Sequence, residues 1–267
     1  MTQSSATLQR IAVEHHGAIA TVTLTRPDLR NAFDDLTIVE LTGAFRALSD
    51  DAHVRVIVLA AQGPAFCAGA DLGYMQRMAH FSETENRADA LGLATMLNTI
   101  YSSAKPVIAR VQGDAYAGGM GLVAAADIAI AVDTAQFCLS EARLGLLPAT
   151  IAPYVIRAIG ERASRRYFVS AERFDAAEAL RLGLVHTVTS AGALDETVQR
   201  IAHSIANNGP QAVVACKRLV HDVSGRAIDN ELMLDTADRI ARVRGSEEGR
   251  AGIASFLEKS SPPWATR

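Results

Sequence analysis

A glutamate that directly follows an apolar strand is placed to move a proton, and Glu141 follows the apolar run Phe137-Cys138-Leu139 after one serine. Partial burial at a strand end raises a carboxyl pKa toward the range useful to a general acid or base. Arg143, two residues on, offers the plainer alternative of an ion pair closing the strand end. Two glycine-rich segments offer the complementary chemistry. Gly63 to Leu72 gathers Ala68, Gly69 and Ala70 after an apolar run, which either exposes backbone N–H groups to a ligand or simply makes a tight turn. Gly113 to Gly121 follows another apolar run and opens a short helix at Leu122. A helix start of that kind presents unpaired N–H donors and the positive end of the helix dipole, so a negative group can sit there; close helix packing is the alternative.

Gly119 to Ala124 also fits a dinucleotide fingerprint, with Glu141 twenty residues past Gly121 as the ribose-binding acid. The spacing argues against it. Seven residues separate Val111 from Gly119, too many for a tight first turn, and the next apolar run follows Ala124 almost at once.

The elements that must hold these segments read as α/β. Short apolar runs at Ile19–Leu24, Val56–Ala60, Val107–Val111, Ile128–Val132 and Gln136–Leu139 alternate with helical patterns at Asp34–Leu48 and Glu83–Tyr101. The last two runs are only three residues apart, too close for a helical crossover, so the cadence is strand-strand-helix. Past Leu184 the pattern turns helical, at Ala193–Asn207, Gln211–Val223, Asn230–Arg244 and Glu247–Leu257, before an irregular Pro-rich tail holding Trp264. We therefore expect a core over residues 1–195 and a helical, subunit-contacting subdomain over 196–267.

Composition narrows the class. Hydrophobic residues at 49% and charged residues at 21% of 267 fit a folded globular chain. A net charge of −3 without a basic run argues against nucleic acid. The longest apolar stretch, Leu122–Val132, is broken by Asp127 and falls short of the roughly 20 residues a membrane span needs. Met1 to Gln9 carries no export signal, and Cys67, Cys138 and Cys216 lack disulfide or zinc spacing; a reducing cytoplasm is the expected location. The seven histidines share no metal spacing, so no metal site is expected.

Taken in order, the Ala-Gly-Ala-Asp turn at 68–71, the Tyr-Ala-Gly-Gly helix start at 116–119 and Ser140-Glu141 followed by Gly145 resemble the crotonase (enoyl-CoA hydratase/isomerase) superfamily. Thr25-Arg26-Pro27, Asn31-Ala32-Phe33, the segment Ala176–Val185 and Ala254–Lys259 extend the resemblance over nearly the whole chain. The stretch Phe137–Asp175 looks most like the bacterial methylglutaconyl-CoA or carboxygeranoyl-CoA hydratases.

The resemblance implies a spiral of strand-strand-helix units with C-terminal helices, assembled as trimers or hexamers. It implies that the N–H groups of Ala70 and Gly118 hold the oxygen of an acyl-CoA thioester as an enolate forms, with no cofactor beyond the coenzyme A of the substrate. Arg26, Arg30 and Lys259 fall where basic side chains approach the coenzyme, and Ala68, Asp71, Leu72, Gly73 and Tyr116 where the pantetheine and acyl group pass. Family hydratases use two glutamates. Glu141 matches the second, but Gly121 stands where the first is expected. Addition of water to a 2-enoyl-CoA remains the expected reaction, a branched or carboxylated acyl group being within range. A lone carboxylate equally suits a Δ3,Δ2-enoyl-CoA isomerase, and a catalytically weak acyl-CoA-binding protein is the third possibility.

Overall fold

The computed structural model describes residues 8–265; residues 1–7 of the polar start and 266–267 of the tail lie outside the described residues. Strands β1 (Ile11–His16) and β2 (Ile19–Leu24) form an antiparallel hairpin through Gly17, whose φ of 61° a glycine adopts without steric cost. Helix α1 (Asp35–Asp50) follows, capped by Asp34, whose carboxylate accepts the Thr37 N–H at 2.9 Å.

A unit then repeats. β3 (Val56–Ala61) leads after a short turn to β4 (Ala65–Cys67), and helices α2 (Leu72–Met78) and α3 (Glu83–Tyr101) follow. β5 (Val107–Val111) leads in the same way to β6 (Asp114–Tyr116) and α4 (Gly118–Ala125). β7 (Ile128–Val132) leads to β8 (Gln136–Cys138) and α5 (Ala152–Ser170). β9 (Arg173–Asp175), α6 (Ala176–Leu182) and β10 (Thr187–Thr189) complete the strands among the described residues, and α7 (Leu194–Ala206), α8 (Pro210–Val223), α9 (Asn230–Gly245) and α10 (Glu247–Leu257) close the chain.

The first strand of each unit joins a large sheet ordered β1-β2-β3-β5-β7-β10, parallel from β2 onward; the second joins a small sheet ordered β4-β6-β8-β9. This is the expected α/β spiral of strand-strand-helix units with helices gathered at the C-terminus. The small sheet was not expected: β4 and β6 lie inside segments that read as loops.

The core is built from the large sheet, with Val56, Ile57, Leu59, Val107 and Ile108 fully buried. Helix α7 packs on that sheet through Leu194, Val198, Ala202 and Ala206, four residues apart and so on one face. Helices α8, α9 and α10 lie further out, with Leu232 their one buried residue. Two polar ties hold this layer. Lys217 Nζ reaches Asp127 at 2.7 Å and the Lys105 carbonyl at 3.2 Å, and Arg55 donates to the carbonyls of Ala206 and Trp264, both at 2.7 Å. The tail is thus fastened to its own chain, with the Trp264 ring close against Gly252.

Candidate active site

The small sheet explains why three distant segments meet. β4, β6 and β8 are adjacent and parallel, with Cys67 opposite Ala115 and Tyr116 opposite Cys138. Their chains therefore leave the sheet at one edge. Ala70 stands three residues past the end of β4, Gly118 two past β6, and Glu141 three past β8. The carboxyl ends of parallel strands are where open α/β sheets place ligands.

The first bend is pinned from both sides. Phe33 forms an isolated bridge to it, donating its N–H to the Gly69 carbonyl at 2.9 Å and accepting from the Asp71 N–H at 2.9 Å. Both bonds use the neighbours of Ala70, so the Ala70 amide faces the other way and donates to no backbone carbonyl among the described residues. Asp71 caps α2 through the Tyr74 N–H at 3.0 Å and meets the Arg26 guanidinium at 3.1 Å. Arg26 also donates to the Ala32 carbonyl at 2.8 Å and lies 3.3 Å from Asp34. Asn31, 1% exposed with φ 53°, donates to the carbonyls of Gln62 and Ala65 at 2.7 and 2.8 Å.

The second bend is tighter than its sequence suggests. Its helix begins at Gly118 rather than Leu122, because Ala117 turns the chain at φ 47°, ψ −120°. That conformation is rare for a residue with a Cβ and costs roughly 1–3 kcal/mol. The turn leaves the Gly118 N–H at the first position of the helix, where no intrahelical partner exists. The two bends touch: a Cβ on Gly69 would lie 3.7 Å from the Gly118 nitrogen and 3.1 Å from the Ala117 Cβ.

Glu141 occupies the third strand end in a single turn of 3-10 helix (Glu141–Leu144). Its Oε2 is fully buried and has no hydrogen-bond partner among the described residues. Burial pushes its carboxyl above the usual range, its own backbone N–H offsetting only part of that. The ion pair weighed for this position is not formed: Arg143 turns to the Ala171 carbonyl instead. The other two carboxylates of the three segments are engaged, Asp71 as above and Asp114 with the Tyr116 hydroxyl at 3.1 Å and the Gln136 N–H at 3.0 Å. The site therefore combines unclaimed amides with one unpaired acid.

Residues 14–267 match the sequence family described as enoyl-CoA hydratase/isomerase. The chain belongs to that family. A Legionella pneumophila protein assigned to enoyl-CoA hydratases/isomerases (crotonases) superposes with a TM-score of 0.93 at 46% identity, over 97% of this chain and 100% of that one. An enoyl-CoA hydratase from Shewanella pealeana gives 0.93 at 40% identity over 96% of both chains. The carnitinyl-CoA dehydratase of Proteus mirabilis is 32% identical over 272 residues, covering 97% of this chain and 99% of its own.

The remaining residues singled out in this enoyl-CoA hydratase/isomerase family member divide into two groups. Ala68, Leu72 and Gly73 stay beside the first bend, Leu72 being 77% exposed. Ala68 is anchored there by its N–H to the Arg30 carbonyl at 3.0 Å. Arg30 is exposed and forms no ion pair among the described residues. Lys259 is exposed too, but lies past the end of α10 in the outer helical layer. Arg26 and Tyr116 are engaged within the chain, Arg26 with Asp71 and Asp34, and Tyr116 with Asp114 and, over its ring, Arg173 at 5.4 Å. Sequence reasoning missed the buttressing by Asn31, Phe33 and Asp34. A buried asparagine gives no periodic signal, and the ordered Asn-Ala-Phe triplet was the only hint. Among the described residues no metal-binding cluster is present, and no helix is long and apolar enough to cross a membrane.

Proposed function

We propose that the protein adds water to a 2-enoyl-CoA, the N–H groups of Ala70 and Gly118 holding the thioester oxygen and Glu141 moving the proton. The observation that carries this reading is the buried Glu141 Oε2, without a hydrogen-bond partner among the described residues, at the same sheet edge as two bends with unclaimed amides. In the reaction, water oxygen bonds to C3 and the C2=C3 π pair moves toward the thioester oxygen, where the two amides stabilise the developing enolate. Glu141, ionised at the start, takes the proton that the attacking water gives up and passes a proton on to C2, ending ionised again, so that one water is added in all. Fixed donors at a developing oxyanion are each worth on the order of a hundred to a thousandfold in rate. No cofactor is required, because coenzyme A belongs to the substrate.

The exposed cations Arg30 and Lys259 suit the coenzyme phosphates, whereas the guanidinium of Arg26 is held by Asp71 and Asp34 and serves to fix the first bend. Exposed Met233, Leu234, Phe256 and Leu257 on α9 and α10 support assembly into trimers or hexamers, which brings C-terminal elements such as Lys259 toward a neighbouring copy. A branched or carboxylated acyl group, in a cytoplasmic catabolic setting, completes the reading.

A second reading, Δ3,Δ2-enoyl-CoA isomerisation, is favoured by Gly121, where the site has no second carboxylate. Incubation with 2-enoyl-CoA and 3-enoyl-CoA separately, with methylglutaconyl-CoA in the panel, distinguishes the two. The proposal expects 3-hydroxyacyl-CoA from the 2-enoyl substrates, and interconversion of the double-bond isomers with no hydroxyacyl product contradicts it.

A further inference from the structure

The turn that carries Glu141 is not held by packing. It is stitched within itself, the Arg143 N–H donating to the Ser140 carbonyl at 3.1 Å and the Leu146 N–H to the Glu141 carbonyl at 3.1 Å, yet none of Glu141–Leu144 is a buried residue. Its anchor lies outside it. The carbonyl oxygen of Ala171 accepts the Cys138 thiol at 3.3 Å and also the Arg143 guanidinium, so residues three before and two after Glu141 are fastened to one atom. A carbonyl oxygen has two lone pairs, and these donors use both. Among the described residues, Arg143 has the one side chain of the turn that bonds beyond it.

Ala171 is itself fixed. It ends α5 in a left-handed turn (φ 50°, ψ 26°), is 2% exposed, and donates its N–H to the Tyr167 carbonyl at 3.1 Å. Two residues on, Arg173 lies opposite Cys138 as β9 runs antiparallel to β8. The end of α5 and the entry of β9 therefore hold this acceptor beside the exit of β8, within reach of the long, forked Arg143 side chain.

A carboxyl that moves a proton must stay in place against the reacting carbon, and a misplacement of about 1 Å can cost roughly a hundredfold in rate. We propose that Arg143 is the positioning residue for Glu141: by bonding to the Ala171 carbonyl it pins the exposed turn and keeps its own charge off the Glu141 carboxyl. The inference rests on the proton-transfer role given to Glu141 above and assigns Arg143 no contact with substrate.

The test measures kcat on 2-enoyl-CoA and 3-enoyl-CoA, and acyl-CoA affinity, for the wild type, Arg143→Ala, Arg143→Lys, Glu141→Gln and the double variant Glu141→Gln/Arg143→Ala. Arg143→Ala is expected to lower kcat by about ten- to a hundredfold, part of what a positioned acid or base supplies, with the acyl-CoA dissociation constant within about twofold of wild type. Arg143→Lys, whose ammonium can still donate to a carbonyl, is expected to recover part of the loss. In the Glu141→Gln background the removal of Arg143 is expected to cost almost nothing further, because the two residues act as a unit. Arg166→Ala, which removes an ion pair to Glu172 at the same end of α5, is expected to keep the wild-type kcat. Arg143→Met, which keeps the length of the stem, stands in should the alanine variant not fold. A wild-type kcat in the folded Arg143 variant overturns the role of Arg143 while leaving the proposed reaction standing. A further loss in the Glu141→Gln background as large as in the wild type overturns it too, because Arg143 would then act other than through Glu141. A wild-type protein inactive on both thioesters removes the proposed reaction, and this role with it.

Discussion

The ring of Phe33 fills the space where a side chain at position 118 would begin: a Cβ there would overlap Phe33 Cζ and lie 2.6 Å from Cε1. Phe33 also holds the first bend, through its N–H to Gly69 and its carbonyl to Asp71. One residue therefore sets the spacing of both amides. Gly118→Ala should displace one of them and lower kcat on the order of a hundredfold or more, and acyl-CoA binding should weaken far less; steady-state kinetics with a binding isotherm measures both. A loss of affinity with kcat unchanged would place position 118 in binding alone.

Glu141→Gln should remove most turnover and leave acyl-CoA binding intact. It should also remove the acidic limb of the pH profile of kcat/KM, which in the wild type is expected above the ordinary glutamate value of 4.5 because burial disfavours the charged form. The same shift bears on stability. A carboxyl whose pKa is raised on folding favours the folded state below its unfolded pKa, and that contribution is lost as pH rises through the folded value. Glu141→Gln should therefore melt higher than the wild type at neutral pH, with the gap closing as pH falls below about 4, near the unfolded carboxyl value. A lower melting temperature at pH 7 would contradict the burial argument.

Ala117 holds a backbone conformation that suits glycine. Ala117→Gly should relieve roughly 1–3 kcal/mol of strain against about 0.5–1 kcal/mol of added chain entropy, leaving a net gain in thermal denaturation. A fall in melting temperature would show that the Ala117 methyl contributes more packing than its backbone stores strain.

Helices α3 and α10 were legible to the residue because caps mark them: Ser82 and Glu85 form a capping box at the first, and Ser246 caps the second. The apolar runs of the large sheet were legible for a similar local reason. The small sheet was not. β4, β6 and β9 are three residues long, too short to show alternation, and are specified by partners distant in sequence such as Cys67 opposite Ala115. The start of α4 escaped for a related cause. Glycine is a poor helix former, and Gly118 is held in the helix by Phe33 from another segment. Glu141 could be picked out by its place after a strand, but its lack of an ion pair depends on where Arg143 turns, and Ala171 decides that.

Removal of the Asn31 amide should be costly, since it bridges the carbonyls of Gln62 and Ala65 at the foot of the first bend. Asn31→Ala should destabilise by about 1–3 kcal/mol through the loss of both hydrogen bonds, the Ala65 carbonyl keeping only Gln112 Nε2 at 2.9 Å, and through a left-handed backbone without its asparagine. Denaturant unfolding measures it, and a change below about 0.5 kcal/mol, the usual size of an inconsequential surface substitution, would remove Asn31 from the buttress.

Burial also sorts the cysteines. The Cys67 thiol is pushed up to about 12, and Cys138 is buried, whereas Cys216 is exposed. Iodoacetamide should label Cys216 in the native protein and the other two only after unfolding; peptide mass spectrometry reads the result, and native labelling of Cys67 would mean that the first bend opens.

The account's central claim is that the amides of Ala70 and Gly118 grip one thioester oxygen. Vibrational difference spectroscopy of an enoyl-CoA carrying a carbon-13 label at the thioester carbonyl, bound to Glu141→Gln so that no turnover intervenes, tests it most directly. Two converging donors predict a carbonyl stretch displaced to lower wavenumber on binding, with much of the displacement lost on adding Gly118→Ala. A stretch unchanged from free substrate in a saturated complex would contradict the account.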